Sequence, residues 1–255
     1  MFRVFRIFVL LLILTCVALS AYLTQARSTD WNNTLYVKIY PINADGSVDA
    51  ARYISRLERD TFDDVEEFLQ REVTRYGRDL KQPVRIRLGQ EVGEQPPSLG
   101  PERSMLNIML WSLKLRWWAS SIGREQDKIN PDVRIFVRYH APADHFVLEN
   151  SVGLQKGMVG IVNAYASRRQ TGPNNVIIAH EFLHTLGATD KYDPTDGTPL
   201  FPDGYGDPSL KPLHPQATAE IMGGRIAVAE DDARVPPNLT YALIGAKTAT
   251  EIRLR

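Results

Sequence analysis

His180-Glu181-Phe182-Leu183-His184-Thr185-Leu186-Gly187-Ala188-Thr189-Asp190 carries two imidazoles, two carboxylates and a glycine within one short stretch. A helix returns to the same face every third or fourth residue, so His180 and His184 present both rings to one point. Glu181 projects from the neighbouring position, within reach of a water at that point without ligating anything itself. Upstream, Asn174 or Asn175 offers a polar N-cap, and Val176, Ile177, Phe182, Leu183 and Leu186 supply an apolar face for burial. Gly187 falls where the helix should stop, because the residue after a helix end often takes a left-handed conformation that glycine adopts at little cost. A chain that reverses there can bring Asp190 back to the two imidazoles. Two histidines and one aspartate around an open fourth position are the ligand set expected of a catalytic Zn2+ site, not of a closed structural one.

The pattern H-E-x-x-H-x-x-G-x-x-D resembles the signature of the metzincin zinc peptidases, with Asp190 where most members place a third histidine. The longer string from His180 to Asp193 is similar to the immune inhibitor A type of bacterial secreted peptidase, and snapalysin-type peptidases share the aspartate variant. The resemblance implies a twisted mixed sheet with helices, a zinc helix and a methionine-bearing turn beneath the metal. Ala219-Glu220-Ile221-Met222-Gly223-Gly224 fits that turn, with Met222 as an adaptable apolar floor. It also implies an endopeptidase in which His180, His184 and Asp190 hold Zn2+ and Glu181 activates the metal-bound water against a protein or peptide substrate. The turn departs from some members at Gly224, where they carry a tyrosine. An oxyanion stabiliser must then come from elsewhere: Tyr192, Tyr205 or His214. Two rival readings use the same residues, a non-catalytic metal-binding protein and a zinc hydrolase acting on a non-protein amide. The first has no need of Glu181.

Thirty Lys plus Arg against 30 Asp plus Glu leave the 255-residue chain formally neutral, which gives no footing to a nucleic-acid partner. Arg3 and Arg6 precede an uncharged run from Ile7 to Leu23. Residues 1–27 therefore read as a signal peptide or, with preference, an N-terminal membrane anchor formed by a transmembrane helix. Either places residues 28–255 outside the cytoplasm as one extracytoplasmic domain. The single cysteine, Cys16, lies inside the apolar run, so the domain itself has no disulfide.

Within the domain, alternating segments at 35–40, 83–88 and 133–139 predict strands, and 146–148 and 158–162 predict two more. Helical spacing covers Val48 to about Tyr76, Ser104 to Ser121 and, at the end, Leu239 to Arg255. Trp111, Trp117 and Trp118 on the second of these predict a core-facing aromatic stripe. Strands alternating with long helices give an α+β class, an α/β-like sandwich. The metzincin resemblance implies that the last strand before the zinc helix edges the cleft; segment 157–165 is the candidate, with Gly157 and Gly160 leaving its backbone open to pairing with an extended substrate. The proline-rich stretch 193–216 predicts a long loop walling the cleft. Its Asp193, Asp196, Asp203 and Asp207 give Ca2+ minor support, because their spacing fits no EF-hand.

Overall fold

In β1 (Leu35–Asn43), Leu35, Val37 and Ile39 enter one buried cluster while Tyr40 and Ile42 enter another. That two-residue period marks a strand covered on both faces. The computed structural model describes residues 5–12, 15, 19, 28–100, 104–126, 130–143, 148 and 151–255. Five strands form one mixed sheet in the order β2-β1-β3-β5-β4. β2 (Val84–Leu88), β3 (Val133–His140) and β5 (Val159–Tyr165) continue the parallel ladder of β1, and the short β4 (Val152–Leu154) runs antiparallel to β5. The larger cluster receives α1 (Val48–Ile54), α2 (Asp63–Arg75) and α4 (Thr171–Leu186). The smaller receives α3 (Met105–Gln126) through Leu115, Trp118, Ala119 and Ile122. The α+β class expected from the sequence is the observed one.

Several elements differ from the sequence-based expectation. The helix expected over 48–76 is interrupted. A 3-10 turn at Arg59–Phe62 separates α1 from α2, and the break lets Ile54 and Phe62 both enter the same cluster. The closing helix expected over 239–255 shrinks to α5 (Ala246–Glu251). It is preceded by a 3-10 turn and by β9 (Ala242–Leu243), which pairs with β6 (Ala219–Glu220). A small hairpin of β7 (Ile226–Ala227) and β8 (Ala233–Arg234) lies between these two segments in sequence. Trp118 is buried, but Trp117 is 69% exposed, so the tryptophan stripe is only partly core. Phe146 and Val147, of the strand expected there, lie outside the described residues.

Two expectations are overturned. Segment 157–165 is not the sheet edge: β5 is bonded on both sides, and β4 ends the sheet. The membrane partner and the transmembrane helix also fall away. Among the described residues no helix is long and apolar enough to cross a membrane.

Phe136 fixes α3 to the sheet, its ring 4.9 Å from that of Tyr40 and 4.5 Å from that of Trp118. Phe136→Ala is expected to lower unfolding free energy by about 3–5 kcal/mol, read from urea denaturation. A loss below about 1 kcal/mol would mean that this layer is not tightly packed.

Candidate metal centre

α4 begins at Thr171, three residues before the expected asparagine cap. Pro173 is tolerated there because N–H groups in a first helical turn have no intrahelical acceptor. Asn174 and Asn175 are instead buried and act as ties. Asn174 donates to the Tyr165 carbonyl and accepts the Tyr165 N–H, and Asn175 donates to the Thr61 carbonyl. The far end of the helix behaves as expected. Gly187 has φ 107°, and the Gly187 and Ala188 N–H groups close on the carbonyls of His184 and Leu183. A side chain at Gly187 would also meet Gln155, with its Cβ 2.4 Å from that residue's Nε2. The reversed chain then delivers Asp190.

The delivery is close. Asp190 Oδ1 lies 3.1 Å from His180 Nε2 and 3.0 Å from His184 Nε2, and the two Nε2 atoms are 3.1 Å apart. Each imidazole's other nitrogen is committed: His180 Nδ1 donates to the Ile221 carbonyl at 2.9 Å and His184 Nδ1 to the Ala188 carbonyl at 2.8 Å. A carbonyl can only accept, so Nδ1 carries the hydrogen and, in the neutral rings, Nε2 keeps its lone pair. Three Lewis-basic atoms thus face one another with no hydrogen of their own to share. Bonds of about 2.0–2.1 Å to a tetrahedral Zn2+ put its ligand atoms roughly 3.3 Å apart, so the donor set and its spacing both fit.

The charges follow from this convergence. Burial pushes the Asp190 carboxyl up, but the two imidazoles facing it, which donate to it and carry positive charge when protonated at Nε2, outweigh burial and hold the group well below the usual carboxylate range. Burial pushes His180 down, yet Asp190, Glu181 and the Ile221 carbonyl together raise it. Glu181 belongs to the same group, with its carboxylate within 4.8 Å of both imidazole ligand atoms. Burial raises its pKa, partly offset by the two histidines, and its Oε2 is buried without a hydrogen-bond partner. Gly153 of β4 is pressed against this residue; a Cβ there would sit 2.5 Å from the Glu181 carbonyl oxygen.

The turn carrying Met222 lies directly behind. Met222 is fully buried in the larger cluster, as an apolar floor requires. The turn does more than fill space: its Ile221 carbonyl holds His180, and its Met222 carbonyl accepts the Lys191 N–H at 2.9 Å. Glu251 of α5 grips the Asp190 segment from another side, accepting the Thr189 N–H, the Thr189 hydroxyl and the Lys191 ammonium. Sequence reasoning missed Gly153, Lys191, Glu220 and Glu251. Of these, only Glu220 left a signal, as a lone charge in the apolar run Ala219-Glu220-Ile221-Met222.

The remaining sequence candidates separate. The Tyr192 hydroxyl bonds to Asp190, and its ring lies 6.2 Å from that of His180. Burial, the charges of Asp190 and Glu181, and the bond to Asp190 push the Tyr192 phenol up to about 12. Tyr205 and His214 pair with each other at 3.2 Å. The four loop aspartates do not converge. Asp193, Asp196 and Asp207 each cap their own turn through Thr195, Thr198 and Ser209, and Asp203 pairs with Lys247.

No family model matches the chain, and no curated protein matches it. Among solved structures, a chain from the structure of a chaperone-substrate complex is similar at 11% identity and a TM-score of 0.42. The match covers 87% of this chain and 33% of that one, so the chain spans about a third of its length. A likeness this distant bears on neither site nor function.

Glu251 gives a pH test of the ligand loop. Burial raises its carboxyl, but the Lys191 ammonium and the Thr189 donors outweigh this and hold it below the ordinary 4.5. A group depressed in the folded state contributes stability that is present above its unfolded pKa and lost as pH falls through the folded one. The parent should therefore be more stable than Glu251→Gln near neutrality, with the gap closing as pH drops below about 4.5 in urea titrations of metal-free protein. A gap independent of pH would show that the carboxylate charge is not what holds the loop.

Proposed function

We propose that the chain is a zinc-dependent hydrolase of the metzincin kind, cleaving peptide bonds, with His180, His184 and Asp190 as metal ligands and Glu181 as general base. One observation carries the reading: three Lewis-basic atoms within 3.1 Å of one another, beside a buried carboxylate oxygen with no partner. A structural site has no use for that fourth group, which favours catalysis over metal storage or scaffolding. Bound Zn2+ supplies a Lewis acid that polarises the scissile carbonyl and acidifies an attacking water.

The protein's own groups divide the remaining work. The Glu181 carboxylate lies within 4.8 Å of both imidazole ligand atoms, its Oε2 has free acceptor capacity, and burial raises its pKa toward the value at which a carboxylate both takes and returns a proton. It accepts the proton of the attacking water and then delivers it to the leaving amine. To the Tyr192 hydroxyl, which bonds to Asp190, we assign the stabilisation of the developing oxyanion. A peptide substrate is favoured by β4, which ends the sheet next to Glu181 and offers an extended backbone a strand to pair with.

Glu181→Gln should retain one zinc per chain while losing about 10²–10⁴-fold in kcat toward an unfolded protein substrate. His184→Ala should lose zinc and hydrolysis together. Glutamine-variant turnover at the parental rate would refute the assignment of the base. Zinc binding by the unmutated chain without hydrolysis of any amide would point to a binding protein.

A further inference from the structure

We infer that Glu220 is a positioning residue of the ligand cage, a buried carboxylate that shapes the turn by which His180 is aimed; this rests on the zinc-hydrolase reading. Glu220 is wholly buried, and each of its oxygens takes two donors. Oε2 accepts the Met222 N–H at 2.7 Å and the Gly223 N–H at 2.9 Å, and Oε1 accepts the Gly245 N–H at 2.9 Å and the Thr248 hydroxyl at 2.7 Å. An ionised carboxylate is an acceptor at both oxygens and suits four donors; an amide would turn two hydrogens of its own toward two of them.

The consequence lies in the residue between. The chain wraps Met222 and Gly223 around the side chain of Glu220, and Ile221 is the link that this wrapping holds. Its carbonyl is the acceptor that fixes the His180 ring. The next carbonyl, of Met222, anchors Lys191 beside Asp190. One carboxylate therefore sets the backbone that aims one ligand and anchors the segment bearing another, without touching either. Its second oxygen carries the tie to the start of α5. Gly245 leaves room for it, since a Cβ there would stand 2.7 Å from Glu220 Cγ.

Glu72, a buried carboxylate ion-paired to Arg71 and Arg75, supplies a control. It is equally buried, and it accepts the N–H of Ile244, the neighbour of Gly245, but it has no bond to the turn. The experiment compares Glu220→Gln and Glu72→Gln by zinc competition against a chromogenic chelator, and by the imidazole nitrogen signals of His180 in zinc-free protein. Glu220→Gln should weaken zinc binding by about 10–100-fold and shift the His180 signals, while Glu72→Gln leaves affinity within about threefold and those signals in place. If Glu220→Gln does not fold, Thr248→Val removes a single donor and should weaken zinc binding several-fold. Parental affinity with unmoved His180 signals would overturn the inference, as would an equal loss in the Glu72 variant. Failure of the unmutated chain to take up zinc would sink the hydrolase reading instead. The His180 signals would then still decide what Glu220 does.

Discussion

Nε2 of His180, Nε2 of His184 and Oδ1 of Asp190 stand 3.0–3.1 Å from one another. Electron-rich atoms hold such spacing only with a proton or a cation among them and a scaffold that stops them from parting. The surroundings supply that scaffold. α4 fixes the two imidazoles one turn apart, the left-handed Gly187 returns the chain, and Ile221 and Ala188 lock the rings through their carbonyls. The imidazole of His180 is buried while the Asp190 side chain is 44% exposed, so the cluster is closed behind the histidines and reaches solvent at the aspartate.

The same economy governs the layers behind. The larger cluster buries the back of α4 against β3 and β5, so the helix cannot rotate its histidines away from the opening. The loop carrying Asp190 has no such helix to hold it. It depends on Glu251, Lys191 and the Met222 carbonyl, contacts drawn from parts of the chain far apart in sequence. Tertiary ties thus do for Asp190 what helical geometry does for the histidines.

This division explains what could be read from the sequence. His180, Glu181, His184 and Gly187 were legible because helix periodicity and the glycine stop are local rules, and Asp190 followed from the reversal they imply. The strands expected at 35–40, 83–88, 133–139 and 158–162 stand at Leu35–Asn43, Val84–Leu88, Val133–His140 and Val159–Tyr165. The sheet edge was not legible. The metzincin resemblance points to the last strand before the zinc helix, and a three-residue antiparallel strand such as β4 has too few residues to show alternation of its own. The roles of Glu220 and Glu251 were equally hidden, because a buried carboxylate and a solvated one look alike until their donors are known. Asn174 and Asn175 misled in the opposite sense: their chemistry suits a helix cap, and long-range ties to Tyr165 and Thr61 claimed it. At the N-terminus, composition alone suggested a membrane span that no described helix provides.

X-ray absorption at the zinc edge of the reconstituted protein addresses the central claim most directly. One zinc per chain is expected, in a low-coordinate shell of nitrogen and oxygen at about 2.0–2.1 Å that includes the scattering pattern of two imidazoles. Zinc bound without imidazole, or in an octahedral shell of oxygens alone, would contradict it.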